Sequence, residues 1–405
     1  MNKKKFICVV ENFILGGVES YFIRMFEWAR EHDMATYLFY ENQFSPQWSS
    51  SVKKLGVNVY QMKSIGTKPR LERVWGEPER IETIKDAVIV VPSMEKAIRI
   101  KKLYPKDNKI VLYVLHPNDS VLSPRFKWLN KIGKKEFVNE AFSQGIIFMG
   151  KQEKQIFDQE FEIQTSQEAI CRLGMEIRPY DKELVRKRYQ KDKCVILSIS
   201  RMEFPFKGYV FGLMQTFLKL KKKYPNLELW LVGDGCDYKR LEQTYNELDS
   251  DEKAHIKLIG SVAYEQLGEY FHKARLNVGM GTTVLDAANY SVPSIVAPSY
   301  QEAEYSCGFW ADSPETVGNV FDKRPKDDYG ILYDDIDKIL DCGEDEYISK
   351  CELSHRCLEK NYGIDRAMEK IISMPGVELP NKKMWIIEMF YFVKRVYLKV
   401  VGGRI

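Results

Sequence analysis

The chain has 405 residues, 44% of them hydrophobic and 29% charged, and a formal net charge of only +4. That length exceeds one ordinary core and predicts two domains, the apolar content excludes wholesale disorder, and the small net charge gives no support to general nucleic-acid binding. Eight cysteines without a paired framework, and no signal-like apolar stretch at the start, predict a reducing, cytoplasmic setting.

The first half alternates short apolar runs with helix-prone ones. Strands are expected at Phe6 to Val10, Thr36 to Tyr40, Val57 to Tyr60, Ala87 to Val91, Ile110 to Leu115 and Gly145 to Met149. This is the rhythm of a parallel α/β sheet, and ligands in such sheets bind just beyond the carboxyl ends of the strands. After the first run stands the turn Gly16-Gly17-Val18-Glu19, leading into a helix. Its glycines either let a ligand approach the backbone or simply turn the chain. His116 follows the fifth run, before Pro117-Asn118-Asp119, where an imidazole can bond a sugar hydroxyl or serve a structural role.

A charged, helix-prone stretch from Asp181 to Asp192 precedes a second series of strands. These are Cys194 to Ser200, Leu227 to Val232, Ile256 to Ile259, Leu276 to Val278 and Ser294 to Ala297. The predicted fold is therefore α/β, with two doubly wound domains meeting near residue 180. Arg201 ends the first strand of this half, and Lys207-Gly208 follows before a helix. Arginine offers two parallel donors and lysine a compact point charge, so the pair suits a diphosphate; a solvated surface pair is the alternative. The turns Gly233-Asp234-Gly235 and Gly260-Ser261 end the next two strands and can enclose a base and ribose.

The segment Gly279-Met280-Gly281-Thr282-Thr283 reads as a glycine-lined turn that opens a helix at Thr282 or Thr283. Free amides at a helix start, together with the helix dipole, favour a phosphate. Thr283 and Asp286 also have capping-box spacing, which needs no ligand at all. Cys351, His355 and Cys357 lack the spacing of a tetrahedral metal site, so no metal is expected. Residues 382–405 combine Trp385, Phe390, Phe392 and Val393 with Lys382, Lys383, Lys394, Arg395, Lys399 and Arg404. Such a segment can lie on an anionic membrane surface or pack as a helix across the two domains.

With these motifs together, the sequence resembles the nucleotide-sugar-dependent glycosyltransferases of the GT-B fold, in particular the retaining, glycogen-synthase-like group that includes bacterial polysaccharide transferases. Gly16-Gly17, Arg201 with Lys207-Gly208, and Gly233-Asp234-Gly235 match the family pattern, although the Arg-to-Lys spacing is one residue longer than usual. The family has two glutamates separated by seven residues; Asp286 stands for the second and Val278 for the first. The resemblance implies two Rossmann-like domains facing across a cleft: 1–180 for the acceptor, 181–360 for the nucleotide sugar, 361–381 as a linker or cross-domain helix, and 382–405 as the tail. It implies transfer of a sugar from a nucleoside diphosphate to an acceptor hydroxyl, with retention, and with no metal or cofactor beyond the donor. Arg201 and Lys207 would hold the diphosphate and His116 the donor sugar. Asp286 would bind the ribose, Gly16, Gly17 and Glu19 would lie near donor and acceptor, and the acceptor would be a glycan or a lipid-linked glycan. Two alternatives remain: a nucleotide-sugar epimerase, and an inactive sugar-nucleotide-binding or scaffold protein.

Overall fold

The computed structural model describes residues 3–14, 16–65, 68–77, 84–104, 107–116, 143–315, 317–318, 328–378, 389 and 392. The chain divides into two compact units, 1–176 with 364–405, and 177–363. These boundaries differ from the expected 180 and 360. The helix Ile364–Ser373 also returns to the first unit, because its Ile364, Ala367, Met368 and Ile371 join that unit's core.

The first unit holds one seven-stranded sheet, built from β1 (Lys5–Phe13), β2 (Ala35–Phe44), β3 (Asn58–Ile65), β4 (Lys68–Trp75), β5 (Ala87–Val91), β6 (Asn108–Val114) and β7 (Ile146–Phe148). The order across it is β4-β3-β2-β1-β5-β6-β7. Every pairing is parallel except that of β4 with β3, which is antiparallel. Both faces are covered, so β1 is apolar throughout its middle: Ile7 and Val9 enter one core cluster, while Phe6, Cys8 and Val10 enter the other. β4 lay outside the strand expectations. It sits at the sheet edge, where charged residues such as Arg70, Glu72 and Arg73 blunt pairing with another chain.

The second unit holds a five-stranded, wholly parallel sheet in the order β10-β9-β8-β11-β12. Its strands are β8 (Cys194–Ile199), β9 (Leu227–Val232), β10 (Ile256–Gly260), β11 (Leu276–Gly279) and β12 (Ser294–Val296). The strand order reverses between β8 and β11. At such a switch point the loops leaving the two strands diverge to opposite faces and open a crevice at the carboxyl edge. The loops that carry Arg201 to Lys207 and Met280 to Gly281 are the two that leave β8 and β11.

Candidate anion and nucleotide site

In the second unit, the loop after β8 is fixed by the loop after β9. Ser200 N donates to Val232 O at 2.9 Å, Met202 N to Asp234 O at 3.0 Å, and Phe204 N to the Asp237 carboxylate at 2.7 Å. Gly233 has φ +131, and a Cβ there would stand 1.8 Å from Ser200 O; one on Gly235 would stand 2.3 Å from Met202 O. These two glycines therefore permit the close approach of the neighbouring loop, a requirement that stands beside the expected part of this turn in enclosing a base and ribose. Asp234 between them is exposed. Beyond β10, Ser261 is also exposed, and Gly260 O accepts from Gly233 N at 2.7 Å.

Arg201, with half its side chain exposed, pairs with Glu203 at 2.8 Å. Lys207 lies 4.9 Å from the Phe206 ring. Burial, assisted by the Arg201 charge and opposed by Glu203, lowers its pKa to about 8. Gly208 immediately precedes the helix α1 (Tyr209–Lys223), and a side chain there would crowd Glu302. The loop leaving β8 thus carries Arg201 and Lys207, with the Glu203 carboxylate beside Arg201.

The helix α2 (Thr282–Asn289) begins at Thr282, with Gly281 as N-cap at φ +73 and no side-chain cap. This start shifts the expected capping box out of register. Thr283 is the second helical residue, so the residue at the box's acidic position is Val284, and Thr283 Oγ1 instead donates to Met280 O at 3.2 Å. The Gly281 amide is taken by Val317 O at 2.6 Å. Gly281 and Thr282 are half-exposed, and a Cβ on Gly281 would meet nothing within 4 Å, so backbone beside the helix start is open to approach. Gly279 ends β11 against the Thr283 hydroxyl. Asp286 is 6% exposed and accepts the Tyr264 hydroxyl at 3.0 Å. Val278 is fully buried in the core with Met280 and Ala297.

In the first unit, Gly16 is the N-cap of the helix Gly17–Glu31, in ordinary extended backbone. A Cβ on Gly16 would stand 2.5 Å from Glu19 Oε2, and Gly150 repeats the arrangement with Glu153 at 2.8 Å. Each glycine leaves room for a first-turn glutamate to fold back over its helix start, where the dipole favours negative charge. Glu19 thus has a capping position whatever else it does. His116 follows β6 with an exposed side chain, and partial desolvation lowers its pKa. Pro117 to Asp119 lie outside the described residues, as does the basic aromatic segment 382–405 apart from 389 and 392.

Sequence spacing missed three features at this edge. Arg240 and Glu302 form a two-pronged ion pair with both contacts at 2.8 Å, and their 62-residue separation gives no local signal. Tyr300 is 49% exposed at φ +56, its amide bonded to Phe206 O at 3.1 Å and its ring 5.3 Å from that of Phe206. Tyr264 is 41% exposed, and only the fold brings it to Asp286. Among the described residues no group of His, Cys, Asp and Glu converges as a metal site, and no helix is long and apolar enough to cross a membrane.

Residues 181–322 match the model of the family described as "Glycosyl transferases group 1". An uncharacterized glycosyltransferase of Methanocaldococcus jannaschii, MJ1059, is 24% identical over 230 residues, covering 54% of this chain and 55% of the relative. The chain thus spans about half the length of the curated relative that it matches. Among solved structures, a mutant of S. aureus TarM in complex with Fondaparinux, alpha-GlcNAc-glycerol and UDP gives a TM-score of 0.61 at 11% identity, over 91% of this chain and 100% of that one. Anabaena HepE in complex with UDP and glucose gives 0.58 at 13% identity, over 91% of this chain and 98% of that one. These likenesses show the fold: α/β, with two Rossmann-like units of the GT-B kind.

Proposed function

We propose that this protein is a glycosyltransferase that moves a sugar from a nucleoside diphosphate sugar to a hydroxyl of a glycan or lipid-linked acceptor, in the synthesis of cell-surface polysaccharide. The observation that carries the reading is the placement of Arg201, Lys207 and the start of α2, which has no side-chain cap, on the segments that leave the adjacent strands β8 and β11 at the switch point of one parallel sheet. The family match over most of that unit supports it, as do the UDP-bound structural relatives. As the glycosidic bond breaks, negative charge grows on the departing diphosphate. Cations and backbone dipoles already fixed in place stabilise that charge without reorganising. The ribose is assigned to the neighbourhood of Asp286, and the transferred sugar is a hexose passed with retention. In the first unit, sugar and acceptor handling is assigned to the edge that carries Gly16, Gly17, Glu19 and His116. The chemistry in this reading uses no cofactor beyond the donor.

Ligand binding to the folded state raises its stability, so a panel of nucleoside diphosphate sugars screened by thermal unfolding identifies the donor. Arg201→Ala and Lys207→Ala are each expected to weaken donor binding by about 1.5 to 3 kcal/mol, the range for hydrogen bonds to charged groups. Unchanged affinity and turnover in both folded variants would remove the assignment. Val278, buried where the family resemblance leads one to expect an acid, favours a second reading, an inactive sugar-nucleotide binder. Sugar transfer by the purified protein decides between the two.

The reading extends to peripheral attachment at the inner face of the membrane, supported by the basic and aromatic sequence of 382–405. Deleting that segment should abolish salt-sensitive sedimentation with anionic liposomes. Equal sedimentation of both forms would reject the attachment.

A further inference from the structure

We propose that Glu203 is an internal competitor for the donor diphosphate: its carboxylate holds the Arg201 guanidinium until a nucleoside diphosphate takes its place, and reclaims it as the product leaves. This rests on the nucleotide-sugar reading and deepens it with a positioning residue that acts through Arg201. The two side chains meet at 2.8 Å and are 52% and 44% exposed, so either can swing aside without disturbing a core. The backbone that carries them is fixed. Ser200 N donates to Val232 O, Met202 N to Asp234 O and Phe204 N to the Asp237 carboxylate, while Lys207 N closes the turn on Glu203 O at 2.8 Å. An exchange of anions at Arg201 therefore needs only side-chain rotation.

The charges around the pair define what the exchange does. Lys207 is repelled by Arg201 and attracted by Glu203, so one carboxylate serves both cations. On the facing segment, Asp234 accepts the Gly235 amide at 2.7 Å, and Asp237 accepts the Phe204 amide and the Cys236 thiol. Arg240, over the Phe204 ring, is held by both oxygens of Glu302. Of these acids, Glu203 is the one paired with a cation assigned to the diphosphate. A guanidinium offers phosphate the same fork that it offers carboxylate, so ligand and Glu203 compete for the same donors. Transfer frees the terminal phosphate, which leaves the product more negative than the donor, and Glu203 opposes the product more. The competing explanation is a surface ion pair with no bearing on a ligand, since exposed pairs contribute little.

The test measures binding of UDP, GDP, ADP and dTDP to the full chain by calorimetry, on both sides of about pH 8, for wild type, Glu203→Gln and Glu203→Asp. Glu203→Gln removes the charge and keeps the shape. It should bind the nucleotide that wild type prefers about threefold to fivefold more tightly at low salt, with the gain shrinking as salt rises. Its affinity should also begin to fall at a lower pH than that of wild type, because Lys207 loses the carboxylate that helps it to keep its proton. Glu203→Asp keeps the charge and should hold the pH profile closer to that of wild type. If either the gain or the shift is missing in Glu203→Gln, the inference is overturned and the nucleotide reading stands. Weaker binding by Glu203→Gln overturns it too, and makes Glu203 a ligand contact. If wild type binds none of the four nucleotides, the nucleotide reading falls and takes this inference with it.

Discussion

Lys207 holds its proton less tightly than an ordinary lysine, with a pKa near 8 set chiefly by burial, then by the adjacent Arg201 charge, against the pull of Glu203. In the unliganded protein it is a cation below that pH and neutral above it. If it grips a diphosphate, affinity should fall as the pH is raised through about 8. Lys207→Arg keeps its charge throughout and should bind with a flat profile over the same range. Affinity measured against pH for both proteins checks this, and a flat wild-type profile would detach Lys207 from the ligand. Stability moves the other way. The folded pKa lies below the ordinary 10.5, so the unfolded chain holds the proton more tightly. Burying the charged lysine therefore costs stability below about 8, and the cost is relieved as the pH rises toward 10.5.

At the scale of elements, strands buried on both faces were legible because burial demands continuous apolar sequence. Ala87–Val91 and Leu227–Val232 fall where the apolar runs placed them. β4 was not legible, because an edge strand has little need of apolar side chains: its Arg70 faces Lys63 and its Glu72 faces Gln61 in register. The candidate site was legible wherever it depends on residues that follow a strand directly, as Arg201 and Gly281 do. It was illegible where tertiary contact decides the role. The two glycines around Asp234 gave a motif-like signal, yet their requirement comes from the carbonyls of Ser200 and Met202, more than thirty residues earlier in the chain. The spacing of Thr283 and Asp286 was likewise real but out of phase by two positions with the helix that formed.

At the scale of the molecule, the second unit is one continuous stretch, whereas the first is assembled from both sides of it. The returning helix Ile364–Ser373 buries Ile364, Ala367, Met368 and Ile371 in the first unit's core, accepts the Trp28 indole proton on Asp365 at 2.7 Å, and donates from Lys370 to Ile170 O at 2.9 Å. A chain ending at 363 should therefore lose stability in its first unit by several kcal/mol, since Ile364, Met368 and Ile371, at roughly 1.5 to 3 kcal/mol each, leave that core together with the smaller Ala367. The fragment 177–363, with its own clusters on both sheet faces, should unfold cooperatively by itself. Calorimetry of the two truncations checks both expectations, and a first unit unaffected by loss of residues 364–405 would show that the returning helix adds nothing to its core.

This interrupted first unit also sets an order of events during synthesis. Domains form as they leave the ribosome, the earlier before the later. Here the earlier one cannot close, because part of its apolar core is encoded after Gly363. The nascent first unit must wait, with Trp28 and its neighbours on the Gly17–Glu31 helix incompletely covered, while the second unit is translated and becomes free to fold. The unit that begins the chain is thus the last to be finished, and the interval in which it stands open is the one in which a chaperone would have something to hold.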